Sequence, residues 1–314
     1  MATQQIDPQP LRIGTRGSPL ALYQAHEVQR RLAAAHPELA VEGAIEIVEI
    51  NTTGDIVQDR ALSEVGGKGL FSKEIDAALL ESRIDIAVHS MKDVETWIPD
   101  GTSLLSVLER EDVRDALITD KAGCLDELPS GSLIGTSSLR RQAQLLKRRP
   151  DLKVCLFRGN VQTRLRKLGE GVADATLLAM AGLNRLEKAD VAAEILEPEV
   201  LMPAVAQGAI GITCRTDDVR ASEWIVSINH AETMTRINCE RAMLAALDGS
   251  CRTPVGGLAE LLPGGGMRLR ALVAKSDGSE LYETLRQGLV SDGAAMGRDA
   301  GEELRRRAGP DIFA

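Results

Sequence analysis

The chain is poor in aromatic residues, with two Trp, two Tyr and three Phe among 314. So few rings leave little surface on which nucleobases could stack, and a net charge of -9 repels a phosphate backbone. Both absences argue against general binding to nucleic acid. Long apolar stretches are missing as well. No run of about 18 apolar residues is present to cross a membrane, and Met1–Pro10 has neither the basic start nor the apolar middle of a secretory signal. The five cysteines (Cys124, Cys155, Cys214, Cys239 and Cys251) are odd in number and form no CxxC pair, which suggests neither a disulfide framework nor a zinc site. His26, His36, His89 and His230 lack ligand spacing, so no metal centre is expected. A monomer in a reducing cytoplasm fits these absences.

What is present is enough chain for two or three cores. Leu11–Thr15 reads as a strand, and Ser18-Pro19 caps the helix that follows it. Ile45–Ile50 and Ile84–Val88 read as further strands, and Phe71, Ile75, Ala78 and Leu79 as one helix stripe. After the charged stretch Glu109–Asp112 the pattern repeats. Leu133–Gly135 leads into a helix from Ser138 with Leu139, Ala143 and Leu146 on one face. Lys153–Phe157 is a strand, Asn160 caps a helix ending at Gly169, and Ala175–Met180 is another strand. This alternation predicts α/β units with parallel sheets. Beyond a connector, Met202–Gly208, the pattern changes to α+β. It comprises a helix through Arg236–Leu247, a loop Asp248–Gly257, strands at Met267–Ala274 and Glu280–Gln287, and a last helix after Ser291.

Charge is distributed unevenly. Between Ile134 and Leu186 stand eleven basic residues and three acids, a net of +8, so the remainder carries -17. Arg140 and Arg141 fall in the first turn of a helix, where cations oppose the helix dipole unless an anion is held there. Arg158 stands similarly between a strand and the Asn160 cap, whereas Arg148, Arg149 and Lys167 near helix C-termini are explained by dipole and solvation alone. Asp93 lies beyond the carboxyl end of a buried-looking strand, where open α/β sheets bind ligands; position alone leaves open an ordinary capping aspartate. Gly66-Gly67-Lys68-Gly69 is not a P-loop, because Leu62 and Gly69 stand where Gly and Ser or Thr are needed. An anion-touching loop and a plain surface turn both remain open for it. Cys251, in a turn-rich stretch beside Arg252, is either a reactive thiol or an idle one.

Nine segments carry a resemblance. GTRGSPLAL, TTGD, GGKGLFSKE, DIAVHSMKD, GTSSLRRQAQL, FRGNVQTRL, AGLNRL, PAVAQGAIG and ERAMLAALDGSCRTPVG follow one another in the order of the porphobilinogen deaminase (hydroxymethylbilane synthase) family, which the chain resembles from about Leu11 to its last helix. The resemblance implies two periplasmic-binding-protein-like α/β domains flanking a cleft, at 11–108 plus 208–226 and at 113–203, and a smaller α+β domain at 229–314 carrying the cysteine loop. It implies a transferase that joins four porphobilinogens head to tail with loss of ammonia, on a dipyrromethane primer bound as a thioether to Cys251. Water then releases the linear tetrapyrrole. Asp93 would be the catalytic carboxylate. Arg16, Ser18, Ser138, Arg140, Arg141, Arg158, Arg164 and Arg185 would bind acetate and propionate groups, with Lys68 doing so from the glycine loop. Lys92 would help hold the cofactor, Phe71 would pack against its pyrrole ring, and Gln207 would touch the cleft. Glu64 departs from the family pattern, since several members have a lysine just before the glycine loop. A non-catalytic two-lobed solute-binding or effector-sensing protein is the competing expectation.

Overall fold

The computed structural model describes residues 9–56, 69–249 and 253–313. Strand β1 (Leu11–Thr15) feeds helix α1 (Pro19–Ala35), whose N-cap Ser18 accepts the Ala21 amide at 3.3 Å. Ala25, Val28 and Leu32 recur at helical spacing on α1 and are fully buried. A Val or Leu side chain so buried contributes about 1.5–3 kcal/mol. β2 (Ile45–Glu49) pairs parallel with β1. The short helix α2 (Thr53–Ile56) and helix α3 (Lys73–Leu80) precede β3 (Ile86–Ser90), which is parallel to β1, and β4 (Thr102–Val107). β3 starts two residues later than the apolar run suggests, because the Arg83 and Ile84 amides still bond back to the Ala78 carbonyl. Phe71, expected on the helix stripe, precedes α3.

The second sheet follows. β5 (Asp115–Thr119), β6 (Leu133–Gly135), helix α4 (Leu139–Arg148), β7 (Lys153–Cys155), helix α5 (Val161–Gly169), β8 (Ala175–Ala179), helix α6 (Met180–Arg185) and β9 (Glu194–Leu196) give the strand order β7-β6-β8-β5-β9. β7 stops short of Phe157, whose amide turns to the Ser137 hydroxyl at 3.1 Å and whose ring is fully buried. The chain then returns: β10 (Ile210–Arg215) enters the first sheet, giving β2-β1-β3-β10-β4. Neither sheet is purely parallel, contrary to the expectation from alternation. β10 runs antiparallel to β3 and β4, and β5 antiparallel to β8 and β9, because these strands enter from the opposite sheet.

Helix α7 (Val219–Val226) leads to the last unit. Helices α8 (Ala231–Ala246) and α9 (Gly293–Ala308) cover the antiparallel sheet of β11 (Val255–Leu262), β12 (Gly266–Ala274) and β13 (Leu281–Leu289). Ile237, Met243, Met267, Leu269 and Leu304 form this core, and Met91, Val205 and Ala206 from the two-sheet body are part of the same cluster.

Two chain crossings join the sheets, at 108–114 and 197–209, and they touch. Glu111 donates its amide to the Gly208 carbonyl at 3.2 Å, and Arg110 Nε donates to the Gln207 carbonyl at 2.8 Å. Gly208 has φ +90°, and a Cβ there would lie 2.4 Å from the Glu111 carbonyl oxygen, so the contact requires glycine. Arg110 also grips Glu240 of α8 through two bonds of 2.6 and 3.1 Å, the side chains being 1% and 0% exposed. Glu240 in turn accepts the amides of Ala206 and Ala259 at 2.7 and 2.8 Å. The turn between β12 and β13 rests on α4: Gln142 Nε2 donates to the Ser276 carbonyl at 3.0 Å.

Candidate active site

β3 carries the chain between β1 and β10 to the carboxyl end of the first sheet, where a single helical turn, Met91–Asp93, turns Asp93 into a cleft. Met91, 1% exposed, anchors that turn in the core. The cleft encloses about 570 Å³ between the two sheets. Arg16 reaches it from the β1–α1 loop. Its guanidinium makes a two-pronged bond to Asp55 (Nε to Oδ2, 3.0 Å) and stacks 4.4 Å from the Phe71 ring centroid. Burial works against the charge of Arg16, but the Asp55 bond and the field of Asp93 outweigh it and raise its pKa. Lys92 donates to Gln207 Oε1 at 3.5 Å. Burial, followed by the repulsion of Arg141, lowers its ammonium to about 8 despite the opposing fields of Asp93 and Asp115.

The opposite face is organised around one buried acid. Asp115, at the start of β5, accepts from Arg140 at 2.7 Å, from Arg141 at 2.6 Å and from Gln207 Nε2 at 3.0 Å. Burial alone would raise the Asp115 carboxyl, but Arg140 and Arg141 hold it far below its ordinary value. The anion expected beside two arginines in a helix first turn is thus supplied in part by the protein itself, through Asp115. Ser138 is engaged as the α4 cap, its hydroxyl accepting the Arg141 amide at 3.4 Å. Both arginines still line the cleft, and among the described residues the buried Nε of Arg141 has no acceptor. The inward face of α4 also differs from the expected one. Arg140, Arg141, Ala143, Gln144 and Leu145 are buried, while Leu139 and Leu146 are half-buried, because the helix packs on its charged side.

Arg158 donates to the Gly54 carbonyl at 3.1 Å, bridging the two faces. Arg164 spends Nε on the Gly159 carbonyl at 2.9 Å, and burial with repulsion from Arg141 lowers it to about 10 against the pull of Asp93. Arg185, pushed down by burial, donates to the Gly208 carbonyl at 2.6 Å. Arg16, Ser18, Phe71, Lys92, Asp93, Ser138, Arg140, Arg141, Arg158, Arg164, Arg185 and Gln207 thus all line one cavity. Lys68, Glu64 and Cys251 lie outside the described residues; Thr253, two positions beyond Cys251, lines the cleft. The other basic residues of the +8 segment do not all serve it: Arg148 pairs with Asp126, Arg149 with Asp151 and Arg166 with Glu170. Asp55, Asp115 and Arg241 were missed from the sequence. Only Asp115 left a signal, in the unmet anion requirement of Arg140 and Arg141. Among the described residues no three His, Cys, Asp or Glu gather to hold a metal, and no helix is long and apolar enough to span a membrane.

Two family models match the chain. The porphobilinogen deaminase dipyromethane cofactor binding domain covers residues 11–223, and the porphobilinogen deaminase C-terminal domain covers 234–306. The chain belongs to the porphobilinogen deaminase family. The porphobilinogen deaminase of Paracoccus denitrificans is 56% identical over 99% of both chains. The chloroplastic porphobilinogen deaminase of Oryza sativa subsp. japonica is 56% identical over 96% of this chain and 85% of its own. Among solved structures, the methionine binding protein MetQ is 14% identical and covers 73% of this chain and 93% of its own, with a TM-score of 0.44. Membership of the porphobilinogen deaminase family makes the chain an enzyme with a dipyrromethane cofactor, and favours that over a non-catalytic solute-binding protein.

Proposed function

We propose that Asp93 is the catalytic carboxylate of porphobilinogen polymerisation in this cleft, and that Cys251 holds the dipyrromethane as a thioether. The observation that carries this is that Asp93, on the turn following β3, shares one cavity with Arg16, Lys92 and Arg164, each of whose charges it favours. The residues suit a ligand bearing many carboxylates. Cations from both faces line the cavity, and the unmet Arg141 Nε is a donor that a carboxylate would satisfy. Arg140, Arg141, Arg158, Arg185, Ser138, Lys92 and Lys68 would hold the cofactor, with Phe71 against a pyrrole ring. Arg16, Ser18, Arg158, Arg164 and Gln207 would hold substrate. When bound, the dipyrromethane supplies the pyrrole carbon to which the first substrate is joined.

Asp93 has two tasks. As the aminomethyl C–N bond of porphobilinogen breaks and ammonia leaves with the electron pair, positive charge spreads into the substrate pyrrole. A fixed carboxylate accepting a hydrogen bond from the pyrrole N–H stabilises that charge far better in a cleft than water does. Asp93 would also take the proton that the attacked ring carbon must shed once the new C–C bond forms. Each addition brings two carboxylates, which the arginines of the opposite face neutralise. The working units are 11–108 plus 208–226, 113–203 and 229–314. β10 within the first sheet supports the discontinuous first unit.

A monomer in the cytoplasm completes the proposal; the free thiols of Cys124, Cys155, Cys214 and Cys239 are in keeping with a reducing compartment. The test is intact mass spectrometry. Purified active protein should exceed its sequence mass by two linked pyrrole units, and Cys251→Ser should remove the excess and the activity together. An active enzyme at bare-chain mass would sink the thioether.

A further inference from the structure

Immediately after Asp93 the chain is held at every residue. Val94 packs on the C-terminal core, Glu95 Oε1 accepts the Gly69 amide at 2.9 Å, and Thr96 Oγ1 donates to the Gly249 carbonyl at 2.9 Å. Gly69 is the last residue of the glycine-rich stretch, and Gly249 the last described before Cys251. One side chain ties this strap together. Arg241, on α8, donates Nη1 to the Val94 carbonyl at 3.4 Å and Nη2 to the Glu95 and Thr96 carbonyls at 2.9 and 3.2 Å.

Arg241 is costly where it stands. Burial lowers its pKa against the opposing field of Glu95, and among the described residues its guanidinium bonds carbonyls rather than a carboxylate. A guanidinium used on three consecutive carbonyls has its planar fork engaged in geometry rather than in charge neutralisation. Through the Thr96 bond the strap also reaches Gly249, two residues before Cys251 in the chain.

We infer that Arg241 is a positioning residue: through the Val94, Glu95 and Thr96 carbonyls it fixes the Asp93 carboxylate relative to α8 and Gly249. The inference rests on the roles proposed above for Asp93 and Cys251. Misplacement of a catalytic group by about 1 Å costs on the order of 100-fold in rate, so a residue of this kind acts on turnover and little on affinity.

The experiment uses holoenzyme of Arg241→Met, Arg241→Lys and Thr96→Val. Arg241→Met should keep the cofactor mass excess and a KM within about threefold of the parent, while kcat falls about 10- to 100-fold. Amides of residues 94–97 should exchange hydrogen faster, with β3 unchanged. Arg241→Lys, which restores a donor without the fork, should recover part of kcat and part of the protection. A parental kcat in Arg241→Met, with only a lower melting temperature, would make Arg241 a docking contact and overturn the inference. Should Arg241→Met fail to fold, the other two variants decide. A kcat loss of at least threefold at unchanged KM supports positioning, and parental kcat in both refutes it. Failure of the underlying proposal is separable, because it appears in the parent as a missing mass excess or in Asp93→Asn as normal turnover.

Discussion

The two faces of the cleft use charge in opposite ways. On the first-sheet face Asp93 stands near Arg16, and Arg16 is itself tied to Asp55 and stacked on Phe71, so cations and anions nearly balance. On the second-sheet face, Arg140, Arg141, Arg158, Arg164 and Arg185 outnumber, among the described residues, the one buried acid Asp115, which the first two share. A balanced face can place one carboxylate with little net field, which suits chemistry on a cation. An unbalanced face suits the holding of many carboxylates at no particular atom. The comparison teaches that counting charge along the chain locates binding, whereas strand order locates chemistry.

The largest expected effect breaks the first face alone. Asp93→Asn should fold normally and lose roughly 10²–10⁴-fold in kcat, the range of a positioned proton-transfer group, with substrate affinity close to the parent. Steady-state kinetics with a ligand-binding isotherm checks both halves. Next comes the joint on which both faces hang. Arg110→Ala strands the buried Glu240 carboxylate, and about 3–5 kcal/mol of unfolding free energy should be lost, read from urea melts of the purified enzyme.

The second face answers to a milder substitution. Arg164→Leu should raise KM about 10- to 100-fold, the worth of one charged hydrogen bond, and leave kcat within a few-fold. Arg148→Leu, which breaks only the exposed pair with Asp126, should change neither. The smallest effect is a pH limb. Lys92 is charged below about 8 and neutral above it, so kcat/KM should fall as pH rises through that value. Lys92→Arg stays charged and should move the limb to higher pH. A profile identical to the parent's would remove Lys92 from carboxylate binding.

Much of this was legible because it is local. Ser18 and Asn160 were readable as caps, and each bonds an amide three residues on, as Ser138 does at the start of α4. Asp93 was placeable because β3 ends just before it. The return of β10 to the first sheet left no periodic signal; only the family resemblance implied it. Arg110 and Glu240 are 130 residues apart, and neither carries a pattern that names the other. Arg241 was unreadable for a related reason: its partners are backbone carbonyls, which every residue has. The +8 count overstated the cleft; helix position already set Arg148 and Arg149 apart, whereas Arg166, paired with Glu170 on the outside, carried no such mark.

The division of labour between the faces is tested most directly by measuring substrate affinity and kcat in parallel for Asp93→Asn and Arg164→Leu holoenzymes. It predicts opposite signatures, with turnover lost and affinity kept in the first, and affinity lost and turnover kept in the second. The same signature in both variants, or near-parental turnover in Asp93→Asn, would contradict it.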